Sequence, residues 1–116
     1  MGYRSDVAVA LSKNGAAHLK SKLASMTDND KRFLFDHPDC HEVDDETGAE
    51  LWRWNYIKWY EEYPEVDAVT DFLNELEEED FLFIRVGESY DDIERRGCFW
   101  DNAFGLDVET SIVTSR

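Results

Sequence analysis

Residues 64–86 read Pro64-Glu65-Val66-Asp67-Ala68-Val69-Thr70-Asp71-Phe72-Leu73-Asn74-Glu75-Leu76, then Glu77-Glu78-Glu79-Asp80, then Phe81-Leu82-Phe83-Ile84-Arg85-Val86. Two periods meet here. Val66, Val69, Phe72, Leu73 and Leu76 fall on one stripe of a helix. Pro64 suits the first helical position, where a missing N–H is not needed. Phe81 to Val86 is a short apolar run closed by Gly87, which reads as a strand. Upstream, Leu51 to Tyr56 is aromatic-rich and alternates, with Trp52, Trp54 and Tyr56 on one face, so it is a second strand. Trp59 to Tyr63 is open between strand and helical turn.

Nearer the start, Val7, Val9 and Leu11 alternate with Ala8 and Ala10, predicting a strand with one face suited to a closely packed helix. Ser12 can cap that helix, whose stripe is Ala16, Leu19, Leu23 and Met26. Gly15 weakens its first turn slightly. Thr27 to Asp30 reads as a polar turn, Arg32 to Phe35 as a short strand, and Asp36 to Gly48 as a loop. Glu88 to Trp100 predicts a polar loop with an edge strand around Cys98. Leu106, Val108, Thr110 and Ile112 alternate as a half-exposed edge strand. The expectation is a single α+β domain over residues 1–116: an antiparallel sheet with two helices on one face, in a ferredoxin-like β-α-β-β-α-β order with extra C-terminal strands.

Composition narrows the function. The chain has 116 residues, 27 acids, 12 Lys or Arg and a formal charge of −15. Such a chain is not expected to bind bare nucleic acid or an anionic membrane, because both demand cations. The 42% hydrophobic content argues for a packed core rather than disorder. The charge is also segregated: residues 1–26 carry +3, so the remaining ninety carry −18. Glu61 to Asp80 holds ten acids and no Lys or Arg.

If a helix ran from Glu65 to Asp80 it would be about 23 Å long and carry one acid per roughly 3 Å, close to the ~3.4 Å charge spacing of a DNA strand. Asp67, Asp71, Glu75 and Glu78 would line one side, and Glu77 to Asp80 would sit at a helix end that prefers cations. A sequence selected only for stability would avoid that arrangement. The alternative is a solvated face that keeps the protein soluble. The candidate partner-binding residues are Glu65, Asp67, Asp71, Glu75, Glu78 and Glu79, with Trp59 and Tyr60 at the rim as aromatic anchors. Asp91, Asp92 and Glu94 form a second acidic loop that could join this surface.

Other chemistries find less support. His37, Cys40 and His41 suggest metal ligands, but Pro38 opposes the helix that a four-residue spacing needs, and no second Cys lies nearby. Asp44-Asp45-Glu46 lacks EF-hand spacing. No Gly-x-Gly or Gly-x-Ser-x-Gly occurs. No cofactor, no metal and no catalytic residue is therefore expected. The first residues carry no apolar signal core and no run is long enough to span a membrane, so a cytoplasmic protein with Cys40 and Cys98 reduced is expected.

Three segments carry a resemblance. Met1-Gly2-Tyr3-Arg4-Ser5-Asp6-Val7, Lys58-Trp59-Tyr60-Glu61-Glu62-Tyr63-Pro64-Glu65-Val66 and Arg85-Val86-Gly87-Glu88-Ser89-Tyr90-Asp91-Asp92-Ile93-Glu94 resemble small uncharacterised proteins of bacteriophages and prophages. The resemblance frames most of the chain up to Glu94 and implies a mobile-element origin. By analogy with small acidic phage inhibitors, it suggests a non-enzymatic, DNA-mimicking protein of the host cytoplasm that blocks a basic, nucleic-acid-handling defence complex, as anti-CRISPR proteins do. An immunity protein for a basic nuclease toxin needs the same physics. A small metal-dependent hydrolase built on Asp36 to His41 is the alternative from another class.

Overall fold

The alternation in the first strand, β1 (Ser5–Leu11), sets the layers. Residues 7–11 are at most 3% exposed, so both faces of the strand are covered. The computed structural model describes residues 2–89, 91–108 and 111–114. In chain order it contains β1, α1 (Lys13–Ser25), α2 (Asn29–Asp36), β2 (Cys40–Val43), β3 (Glu50–Ile57), α3 (Pro64–Asn74), a 3-10 turn (Glu78–Asp80), β4 (Phe81–Val86), β5 (Ile93–Gly97), β6 (Asp107–Val108) and β7 (Ile112–Val113). Five strands form one sheet in the order β2-β3-β1-β4-β5, with antiparallel pairings.

Val7, Val9 and Leu11 of β1 pack with Trp52, Trp54, Phe81 and Phe83 beneath the helices, which contribute Ala16, Leu19, Leu34, Phe35, Val66, Val69, Phe72 and Leu73. Ala8 and Ala10 face the other way, with Leu51, Leu82 and Ile84. That face is covered by Phe104, Leu106, Val108 and Ile112 rather than by a helix. The small alanines leave room there for the Phe104 ring.

The α+β class and the antiparallel sheet are as the sequence predicts; the ferredoxin-like succession is not reproduced. Arg32 to Phe35 is not a strand but part of α2, a third helix. Asp28 caps it, its carboxylate accepting from the N–H groups of Asp30 at 2.9 Å and Lys31 at 3.4 Å. Arg32 forks onto Asp36 one turn later at 3.1 and 3.2 Å, and also donates to Leu23 O and Met26 O, closing the carboxyl end of α1. Trp54 Nε1 donates to Leu34 O at 2.7 Å and ties α2 to the sheet. Phe33 is left 49% exposed.

The segment read as a loop, 36–48, contains β2, an exposed edge strand with no apolar face whose place comes from its ladder to β3. The edge strand expected around Cys98 lies just before it, as β5. The C-terminal alternation is not an edge strand: β6 and β7 form a separate small hairpin over the back of the sheet. Glu109 and Thr110 of that expected strand lie outside the described residues.

The first turn of α1 is locked to the start of β4. Ser12 Oγ accepts from Gly15 N–H at 3.1 Å and donates to Asp80 Oδ1 at 2.7 Å, while Ser12 N–H donates to Asp80 O at 2.9 Å. A Cβ on Gly15 would stand 2.7 Å from that same Asp80 carbonyl oxygen. Gly15, which looks like a helix weakener, is therefore required by a close backbone approach. In an open helix Gly→Ala stabilises by up to about 1 kcal/mol. Here Gly15→Ala is expected to destabilise by about 1–3 kcal/mol, the usual range for overpacking; a urea titration of the two chains, compared at their midpoints, reads the sign directly.

Candidate functional site

The acid run does not form one line. α3 ends at Asn74, and Glu75 caps it. At 11 residues the helix is about 16 Å long rather than 23 Å. Glu78 and Glu79 sit in the separate 3-10 turn. The clash between Glu77 to Asp80 and a helix dipole is thereby removed, and Asp80 instead supports the amino end of α1, where a carboxylate is favourable.

The acids divide among several neighbourhoods. Asp67, Asp71 and Glu75 form the α3 wall of a groove of about 530 Å³, opposite His18 and Lys22 of α1 and Lys31 of α2. Glu75 is paired: Lys22 Nζ donates to it, and His18 Nε2 lies 2.9 Å from Oε1. Those two hydrogen bonds hold its carboxyl below the usual range. Glu65 lines a smaller hollow with Arg4, Phe33, Ile57, Lys58 and Tyr63. Glu78 faces Arg95 and Arg96 across another. Much of the +3 head thus lies against the acidic body. Even so, Asp67, Asp71, Glu61, Glu62, Glu65, Glu77 and Glu79 make no ion pair among the described residues.

Trp59 and Tyr60 lie elsewhere, in a cleft of about 440 Å³ between the turn after β3 and the β4–β5 edge. Glu61, Glu62, Thr70, Phe83, Arg85, Asp92, Glu94, Arg96 and Tyr3 complete its lining. Its lining thus draws on the amino-terminal segment, the turn after β3, α3, β4 and β5. Trp59 packs on Trp54 and Phe83, with ring centroids 6.2 and 5.8 Å apart.

Arg85 is the organising residue. It follows Phe81 and Phe83 on the helix-facing side of β4, and its side chain is only 16% exposed. A guanidinium in that position needs partners. Nη1 and Nη2 fork onto Asp92 at 3.2 and 2.8 Å, Nε donates to Glu94 at 3.0 Å, and Nη1 also donates to Ser5 Oγ at 3.1 Å. Tyr3 Oη donates to Asp92 Oδ2 at 2.7 Å and accepts from Ser89 N–H at 2.9 Å. The hydrogen bonds from Arg85 first and Tyr3 second hold the Asp92 carboxyl below its ordinary range. Tyr3, Phe83, Arg85 and Arg96 escaped the sequence reading. One signal was present: a charge placed where the alternation of β4 calls for an apolar residue.

The candidate metal residues are not assembled. His37 packs on Phe33, with centroids 4.8 Å apart. His41 stacks on Trp52 at 3.7 Å, with Nε2 2.8 Å from Glu50. Cys40 and His41 are neighbours on a strand and so point to opposite faces. Burial, then Glu42, pushes the Cys40 thiol up, against the pull of Arg53. Among the described residues no group of three or more His, Cys, Asp or Glu could hold a metal, and no helix is long and apolar enough to cross a membrane.

Two outcomes follow from the pairing. Glu75→Lys, which sets two cations together, should lower the unfolding midpoint more than Asp71→Lys. The excess should not pass about 1 kcal/mol for so exposed a pair, and the Lys22→Glu/Glu75→Lys swap should recover it. Because the Asp92 pKa is depressed in the folded state, its stabilising contribution is complete above the unfolded value of about 3.9 and is lost as pH falls through the folded value. Thermal melts of wild type and Asp92→Asn should therefore differ at neutral pH and converge in strong acid. Compared with protein-family models, curated proteins and solved structures, the chain has no significant match.

Proposed function

We propose that this chain is a non-enzymatic binding protein of a phage or other mobile element. It inhibits a host nucleic-acid-handling defence complex by occupying a basic surface, as anti-CRISPR proteins do. The observation that carries the reading is the surplus of unpaired carboxylates around α3. Three Lys or Arg residues are engaged in ion pairs among the described residues, namely Lys22, Arg32 and Arg85. The formal charge of −15 already counts every Lys and Arg, so the excess of acid persists whichever of them pair.

A field of one sign steers a basic partner into place and makes association fast and salt-sensitive. Asp67, Asp71 and Glu65 are the acids best placed to act through it, because Glu75 is already engaged and Glu78 and Glu79 lie off the helix. The partner is a protein, since the same charge repels nucleic acid.

The test is made in bacteria whose CRISPR or restriction system blocks a test phage. Expression of the wild-type chain should restore plating against the defence it targets. The Glu65→Lys/Asp67→Lys/Asp71→Lys variant, checked for folding by circular dichroism, should not. With purified complexes, binding by the wild type should weaken as salt rises. Equal restoration by the charge-reversed variant, or no restoration against any defence, overturns the reading.

A further inference from the structure

The Trp59–Arg85 cleft has a chemistry of its own, distinct from the acidic groove along α3. Its lining sets four carboxylates, Glu61, Glu62, Asp92 and Glu94, against two guanidiniums, Arg85 and Arg96. Arg85 is satisfied by Asp92 and Glu94. Arg96 donates to Asn74 Oδ1 and lies 6.0 Å from the Phe81 ring centroid. Glu61 and Glu62 are exposed and make no ion pair among the described residues, so the wall is negative where it meets solvent. Beside these carboxylates stand the aromatic rings of Trp59, Tyr60 and Phe83.

We propose that this cleft receives an arginine side chain of the protein partner. The inference rests on the reading of the chain as a binder of a basic protein and adds what that partner must present. Arginine fits better than lysine. Its guanidinium is planar, stacks on aromatic faces, is weakly hydrated and can fork onto a carboxylate, whereas an ammonium is a compact and strongly hydrated charge.

The walls are also fixed before binding. Tyr60 Oη accepts from Tyr3 N–H at 2.7 Å, and its ring lies edge-on to Tyr63 at 5.2 Å. Tyr3 is held in turn by Asp92 and Ser89. A preformed pocket gives up less freedom when it is filled. Thr70, one turn along α3 from Asp67, lines the cleft, so one partner could occupy cleft and groove together.

The probe is N-acetyl-arginine amide, titrated into the full chain at physiological salt and followed by the Trp59 indole N–H resonance, which Trp59→Phe identifies by its loss. N-acetyl-citrulline amide, a neutral mimic of the same shape, is the control. The expected result is a saturable shift for arginine in the millimolar range of a single side chain, and none for citrulline. Glu61→Gln/Glu62→Gln should weaken it several-fold. Glu65→Gln/Asp67→Asn/Asp71→Asn should weaken it less than Glu61→Gln/Glu62→Gln does, because those acids lie outside the cleft and reach it only through a screened field. An equal response to citrulline, absence of saturation, or indifference to Glu61→Gln/Glu62→Gln overturns the proposal. Phage rescue that persists while arginine fails to bind overturns the cleft and spares the occupancy reading. Arginine binding by a chain that rescues no phage does the reverse.

Discussion

The structure depends on β1 being buried on both faces. A central strand with one solvated face could tolerate polar residues at alternate positions; β1 tolerates none from Val7 to Leu11. Its two faces differ in size, and the difference decides what covers each. The Val7–Val9–Leu11 face meets Leu34, Phe35, Phe72 and the other helix residues, while the Ala8–Ala10 face admits Phe104 and Leu106 from an irregular segment. With both sides of the sheet closed, the charged residues are confined to the rims, the helix surfaces and the sheet edges. Arg85 marks the boundary. It continues the inward-facing series of Phe81 and Phe83 at the position where the aromatic core gives way to the cleft. There it collects Asp92, Glu94 and Ser5 because a half-buried guanidinium without them would be costly.

The charge pattern changes meaning in three dimensions. Along the chain, a positive head is followed by a strongly negative body, as if the two had separate roles. In space the head lies against the body. Lys22 and His18 engage Glu75, Arg4 borders the hollow that holds Glu65, and Asp80 supports the helix that carries Lys13, Lys20 and Lys22. Some acids that look misplaced in sequence are therefore structural. The surplus still matters, because exposed pairs contribute little to stability and unpaired carboxylates project a field over about 8 Å at cell ionic strength. Which acids contribute to that field is a question of pairing, and sequence spacing alone does not answer it.

The parts of the fold that were legible in the sequence are those whose periodicity is long and whose burial is one-sided or complete: β1, α1, β3, α3 and β4. Arg32 to Phe35 misled because Phe33, Leu34 and Phe35 form a contiguous apolar run, which suits a strand as well as a helix. The deciding residues were polar. Asp28 as cap and the Arg32–Asp36 spacing specify a helical turn on their own. β2 was invisible because a short edge strand held by its ladder needs no apolar pattern. The hairpin of β6 and β7 was invisible because two-residue strands carry no period. In the site, Trp59, Tyr60 and the Asp92–Glu94 acids could be picked out as aromatics among acids and as an acidic loop. Tyr3 could not, because its partners Asp92 and Ser89 lie more than eighty positions away; Arg85 showed only as a charge that breaks the alternation of β4.

The same long-range contacts explain why the cleft behaves as one body. Between Ser5 and Val7 the β1–β3 register shifts, so Asn55 and Tyr56 both oppose Asp6. Tyr56 takes a left-handed backbone with φ +54, a strained state for a residue with a side chain, tolerated where neighbours hold it. They do hold it: Asp6 Oδ1 accepts from Tyr56 N–H at 2.8 Å, and the Arg4 guanidinium donates to Tyr56 O and covers the ring at 5.1 Å. The bulge reorients the chain just before Ile57, Trp59 and Tyr63, which pack against the helix-covered core. Arg4 N–H also donates to Glu88, beyond β4. The N-terminal residues therefore pin the turn that carries Trp59 and Tyr60 to the turn that carries Asp92. Neither wall can move without breaking bonds to the other, and that coupling makes the cleft a fixed recess beside the exposed carboxylates of Glu61 and Glu62.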